Sequence, residues 1–291
     1  MNILVTAIGS VSAKAVIRSL RQAIPRVRLI GTDLNPIERV TNTRLLDGFH
    51  QVLTGTDPKY AQRMAQICKK ERIQYLIPLT DPEVDAFSGL GKWFSSFGTV
   101  ITQSSEESVR LSRDKYKWYR FFFGHRFVNV IPTWLASNIT AESPFPLLAK
   151  KRNGRSSMGM IRYEDFKQWA TCRDRTSYHI IQPFWDGEIH TVDVVRSKNG
   201  DVKALAKHEI ERNPRGLGLR VEVQKDSDSA HLAAIVAEEL NLIGAVNIEF
   251  LVKEGVPYLM DVNPRVSGGV RFSIDAGFDV VAEHMRVFGV M

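Results

Sequence analysis

Long apolar runs are missing from this 291-residue sequence. Nothing approaches the about 18 consecutive apolar residues of a membrane-spanning helix, so neither a transmembrane segment nor a membrane partner is expected. Cysteine is scarce. Cys68 and Cys172 stand alone, which argues against a disulfide framework and a thiolate metal site. Histidines 50, 125, 179, 190, 208, 231 and 284 show no ligand spacing, so they read as structural and no zinc is expected. The opening Met-Asn-Ile-Leu-Val-Thr lacks the basic and apolar regions of a signal peptide, which makes a cytoplasmic, reducing location the expectation. No internal repeat or low-complexity tract occurs. No helix-turn-helix, RNP or zinc pattern accompanies the net charge of +7. That charge suits small anions such as nucleotides, and no nucleic-acid partner is expected.

Apolar residues make up 44% of the chain and charged ones 24%, as in a globular protein with a real core. The most informative stretch runs from Gly244 to Gly269. Residues 245–252 and 257–262 read as strands around Lys253-Glu254-Gly255, a hairpin. Asn247 and Glu249 are two apart on the first strand, and Asp261 and Asn263 on the second, so each pair shares a face. Pairing the strands lets the oxygens of Glu249, Asp261 and Asn263 converge, a hard donor set suited to Mg²⁺ (with Mn²⁺ as an alternative) beside substrate phosphates. Arg265 follows as a fixed positive charge able to grip a phosphate oxygen.

Residues 1–103 alternate strand and helix, with strands at 3–6, 28–32, 73–78 and 99–102 and helices at 59–70 and 83–93. This order predicts a parallel, doubly wound sheet. The first turn, Ala7-Ile8-Gly9-Ser10-Val11-Ser12, has one glycine where a dinucleotide fingerprint needs three. Asp33 ends the second strand at the position of a ribose-binding acid, so an NAD(P) oxidoreductase remains a competing reading. A helical connection over 104–123 is expected, with Ser112 available as a cap. In the segment after Lys150, Gly154, Ser156, Ser157 and Gly159 read as a flexible hairpin whose backbone N–H groups and hydroxyls can cover phosphates. No Walker A loop is present. A helix over 229–240 with Ser229 near its cap, and another over 279–288, complete the pattern. Lys207, Arg212, Arg215 and Arg220 are either solvated charges or partners of an anionic substrate.

The hairpin carboxylates resemble the metal signature of the ATP-grasp superfamily, in its carbamoyl phosphate synthase large-subunit-like branch. Asp261-x-Asn263 stands where that family has Glu-x-Asn. Gly9, Asp33-x-Asn35, Asp47-x-Phe49 and Pro78-x-x-Asp81 resemble the pre-ATP-grasp domain in similar order. The resemblance implies an α/β fold: a Rossmann-like pre-ATP-grasp domain over 1–111, then a two-lobed ATP-grasp domain over 112–291, with a lid lobe at about 132–181 and a C-terminal lobe at about 182–291. It implies that Lys115 and Lys150 contact nucleotide phosphates and that Ser156 and Ser157 lie in the closing lid. Gln182, Phe184 and Trp185 would form the adenine hinge, with Glu188 on the ribose. Counting back from Thr191-Val192-Asp193 puts the ribose acid at Ile189 instead, so that register stays open. Arg271 is the candidate for a substrate carboxylate. The implied activity is an ATP-dependent carboxylate–amine ligase, of amino-acid or peptide type, working through an acylphosphate on small molecules, with a homodimer allowed. A non-catalytic nucleotide-binding scaffold and a subunit of a split carbamoyl phosphate synthase are the alternatives.

Overall fold

The computed structural model describes residues 1–155, 158–172, 176–214, 216–224 and 226–291. Short apolar strands separated by amphipathic helices build its first layer. β1 (Asn2–Val5), α1 (Ala13–Ala23), β2 (Arg28–Asp33), β3 (Gly48–Gln51), α2 (Tyr60–Glu71), β4 (Tyr75–Ile77), α3 (Asp81–Phe87), α4 (Gly91–Ser95) and β5 (Val100–Ile101) follow one another. The strands are parallel in the order β3-β2-β1-β4-β5, the doubly wound sheet expected. Two details differ from the sequence reading. The helix expected over 83–93 is two helices, because the chain turns at Gly89 with φ +79°, backbone that glycine adopts without strain. β3 is an additional edge strand. Asp47, just before it, accepts from the Leu29 N–H at 2.7 Å and pairs with Arg21 at 2.8 Å.

Next come α5 (Glu106–Ser112), α6 (Lys115–Phe122) and β6 (Asn129–Val130). Asp114, rather than Ser112, caps α6: its carboxylate accepts from the N–H groups of Tyr116 and Lys117. β7 (Trp134–Leu135), β8 (Leu147–Lys151), β9 (Ile161–Tyr163) and β10 (His179–Pro183), with α7 (Phe166–Cys172), make a small antiparallel sheet ordered β7-β10-β8-β9. Ile139, Leu147, Ala149, Tyr163, Trp169 and Ile181 give it a core of its own.

β11 (Glu188–Arg196), β12 (Val202–Arg212), β13 (Gly218–Gln224), α8 (Asp228–Glu239), β14 (Gly244–Lys253), β15 (Val256–Asn263), α9 (Val270–Asp275) and α10 (Val280–Val287) end the chain. The large sheet runs β13-β12-β11-β14-β15-β6. Ser227, two residues before the expected cap, accepts from the Ser229 N–H at the start of α8. Alternation along β11 sorts its two faces. Val192 and Val194 pack with Ala233 and Val236 of α8. Val195 joins a second core, which unites β1, β2 and α1 with Val270, Val280, Val281 and Met285. The first sheet and the C-terminal helices therefore share one apolar core, and Ser19 of α1 donates to Asp279 at 2.6 Å across the same seam.

Candidate active site

The hairpin forms as its composition dictates. Glu254 and Gly255 turn it with φ of +52° and +78°, the two positive values of a type I′ connection. In register, Glu249 lies opposite Asp261 and Asn247 opposite Asn263. A bulge follows, because Phe250 pairs with Leu259. The extra residue, Met260, lets Leu259 and Val262 both reach the core while Met260 and Asp261 both line a cavity.

Two cavities meet at this hairpin. The first, about 210 Å³, opens between the small and large sheets, walled by apolar Ile131, Leu148, Met160, Ile189, Leu251 and Met260 with Phe184 and Trp185. Lys115, Lys150 and Gln182 are its polar wall. The second, about 600 Å³, lies between the large sheet and the first sheet and includes Ser10, Ser12, Thr80, Asp81, Asn263 and Arg265. Arg155, Arg212, Glu249 and Asp261 line both.

The charges at the junction are paired. Lys115 Nζ lies 2.5 Å from Asp261 and 3.4 Å from the Gly154 carbonyl, which ties the start of α6 to the loop after β8. Arg212 bridges Glu249 at 3.0 Å and Glu209 at 2.5 Å. Burial, reinforced by the facing Asp261, pushes the Glu249 carboxyl above its ordinary range despite Arg212. Burial likewise pushes Glu209 up to about 7. Arg265 grips Asp81 through two bonds, at 2.8 and 3.2 Å. Burial alone would raise Asp81, yet Arg265 and Arg113 hold it down at about 2. Two half-buried carboxylates facing each other, with an amide oxygen beside them, fit a dication by donor chemistry. Gln182 donates to Thr133 at 2.9 Å, while its Oε1 is buried with no partner among the described residues, at the wall of the apolar slot.

The other sequence-derived candidates divide. The Phe184 N–H donates to the Pro146 carbonyl at 2.8 Å, and Arg162 covers the Phe184 ring at 4.0 Å. Trp185 meets Tyr258 edge-on at 5.0 Å. Ser156 and Ser157, like Arg215, lie outside the described residues. Two assignments need correction. Glu188 does not face the first cavity: Ile189 does, because Glu188 shares its strand face with His190, Val192 and Val194 over α8. Gly187 brings β11 so close to β14 that a Cβ there would lie 2.5 Å from the Val252 carbonyl oxygen. The strand is thus held in that register. Arg271 is exposed, paired with Asp275 on its own helix at 3.1 Å, and lines neither cavity. As the second residue of α9, it points to solvent. Asp33 is also committed: its carboxylate accepts from Gly9 N at 2.7 Å and from Asn35 N at 2.8 Å, which removes the free acid that a ribose reading of the first turn requires. Lys207 is neither solvated nor in a cavity; with Asp193 and Ser273 it forms a fully buried cluster between β11, β12 and α9.

Sequence reasoning passed over Asp81 as a partner for Arg265, gave Arg155 no role of its own, and left Arg212 between a solvated charge and a partner of an anionic substrate. The position of Arg212 as the last residue of β12 was the available signal; its contact with Glu249 depends on the sheet order.

Comparison with known proteins bears on this arrangement. Residues 176–288 match the family described as ATP-grasp in the biosynthetic pathway with Ter operon. Residues 3–102 match the PylC-like N-terminal domain. The chain belongs to the ATP-grasp superfamily. At the sequence level this ATP-grasp chain is distantly similar to the carbamoyl phosphate synthase large chain of Saccharolobus solfataricus, 22% identical over 247 residues, 77% of this chain and 23% of that protein. It thus spans about a quarter of that relative's length. Its fold matches the biotin carboxylase domain of Hydrogenobacter thermophilus 2-oxoglutarate carboxylase, crystallised as a dimer with MgADP, ADP and bicarbonate (TM-score 0.81, 16% identity, 99% of this chain and 69% of that one). It also matches L-amino acid ligase from Bacillus licheniformis (TM-score 0.75, 13% identity, 98% and 73%). No helix among the described residues is long and apolar enough to cross a membrane.

Proposed function

We propose that this ATP-grasp protein is an ATP-dependent ligase that joins a carboxylate to an amine, of amino-acid or peptide type. A γ-phosphoryl group passes to the carboxylate to give ADP and an acylphosphate; the amine then attacks the acyl carbon and displaces phosphate. The observation that carries the reading is the junction of the two cavities at Glu249 and Asp261. A nucleotide in the first and an acid in the second would meet at the paired carboxylates. The apolar slot fits a purine, and the unpartnered Gln182 Oε1 offers an acceptor to an exocyclic amine. Lys115 and Lys150 lie on the same wall and would offset phosphate charge, and Phe184 and Trp185 enclose the base. Glu249, Asp261 and Asn263 would hold Mg²⁺, which supplies neutralisation of the phosphate oxygens during transfer. Arg265, immobilised by Asp81, presents a fixed positive charge to the second cavity. The L-amino acid ligase that shares the fold supports the choice of amine as nucleophile.

The test is phosphate release from MgATP across a panel of carboxylates, each with and without amino acids as amine donors. Release that needs an acid, an amine and Mg²⁺ together is expected. The Asp261→Asn/Asn263→Ala double variant should lose it by roughly a hundredfold or more. If no pair of substrates lifts release above that with ATP alone, the ligase reading is wrong and a non-catalytic nucleotide-binding role takes its place.

A further inference from the structure

On the face of the large sheet away from the cavities, strand pairing assembles a cluster that sequence spacing conceals. His190 of β11 and His208 of β12 are direct partners in the ladder, their rings 5.3 Å apart. Glu188, two residues before His190 on the same face, places Oε2 3.5 Å from His190 Nε2 and 3.8 Å from His208 Nε2. One ligand atom from each of the three lies within 4.8 Å of the others. Donor atoms around a tetrahedral zinc, with bonds of about 2.0–2.1 Å, are about 3.3 Å apart. The set needs only a modest contraction, which the exposed side chain of Glu188 can supply.

The second observation is the state of His190. The residue is nine-tenths buried, its Nδ1 is bonded to Ser229 Oγ at 2.9 Å, and its Nε2 is buried with no hydrogen-bond partner among the described residues. An imidazole held through one nitrogen with the other aimed into a cluster of donors is the arrangement of a metal ligand and its orienting neighbour. Glu222 of β13 stands opposite His208 in the ladder and adds negative charge to the same row.

We propose that Glu188, His190 and His208 bind a divalent transition metal of the zinc type, with the fourth position open to water. Two nitrogens and one oxygen select a borderline ion, whereas the oxygen set at Glu249, Asp261 and Asn263 selects Mg²⁺. Such an ion would clamp β11 to β12. The same strands carry Ile189 of the first cavity and Arg212 of the junction, so occupancy would stiffen two walls of the nucleotide site from behind.

The experiment uses the full chain, freed of metal by chelation and held in millimolar Mg²⁺ to fill the oxygen site. Zn²⁺ is titrated calorimetrically and Co²⁺ is followed by its visible d–d bands. One equivalent, with the bands of tetrahedral Co²⁺, is expected. Glu188→Gln, at an exposed position, and His208→Ala, at a half-buried one, should each abolish the bands, and Ser229→Ala should weaken Zn²⁺ by roughly 10–100-fold. Asp261→Asn/Asn263→Ala should keep the full signal, which separates this site from the proposed catalytic one. No bands in the wild type, binding unchanged in both ligand variants, or bands lost only in the Asp261/Asn263 variant would each overturn the proposal.

Discussion

Lys150 carries a pH consequence on a single side chain. Burial, with the Lys115 charge nearby, lowers its ammonium to about 8. Below that pH it is a cation facing the first cavity; above it, a neutral amine. Affinity for MgATP should therefore hold at pH 7 and decline above pH 8, by at most about tenfold per pH unit. Lys150→Arg keeps its charge throughout and should abolish the decline. Calorimetric titration of MgADP and MgATP between pH 7 and 9.5 checks this; an identical decline in the arginine variant would assign the effect elsewhere. The contrast between Glu188 and Ile189 is also a matter of one residue. A strand alternates its faces, so a shift of one position moves a carboxylate from the first cavity to the opposite side of the sheet.

At the scale of elements, α10 is fastened to β14 by an imidazole. His284 is buried and its Nδ1 accepts from the Ala245 N–H at 2.8 Å, which requires the neutral ring. Burial depresses its pKa to about 4, against about 6.5 in the unfolded chain. The unfolded chain thus takes up a proton below about pH 6.5 that the folded one refuses. The stabilisation is intact above that pH and is lost as the pH falls towards 4, by up to about 3 kcal/mol. Urea unfolding at pH 7, 5.5 and 4.5 should show this fall, and His284→Gln, which keeps an acceptor without the titration, should flatten it. Equal slopes in both proteins would mean that other groups dominate acid sensitivity.

At the scale of the whole molecule, the pair Asp81–Arg265 ties the start of α3 to the chain just after the β14–β15 hairpin, with Arg113 3.6 Å from the same carboxylate. Removing the carboxylate leaves the Arg265 guanidinium without its anionic partner, whereas Arg113 keeps Asp85 at 3.0 Å. Asp81→Asn should therefore cost about 3–5 kcal/mol of unfolding free energy. The first sheet and the C-terminal helices share one core, so probes in both should lose structure in the same transition. Denaturant unfolding followed by fluorescence and by proteolysis reads both; a loss under about 1 kcal/mol would show that the bridge does not hold the halves together.

Local rules decided what the sequence determined by itself. Alternation along β14 and β15 put Glu249 and Asp261 on one face, and the strand–helix order required the parallel first sheet. The asparagine pair Asn247–Asn263 follows from the same period. What only the tertiary structure decided is which elements meet. Arg265 finds Asp81, Arg212 finds Glu249, and His190 finds His208 through sheet order and ladder register. No local spacing encodes these, because each contact joins segments whose separation is closed by the packing of a shared apolar core. Arg271, placed by a reading along the chain, lies elsewhere for that reason: α9 turns it to solvent, and the cations that line the second cavity are Arg155, Arg212 and Arg265.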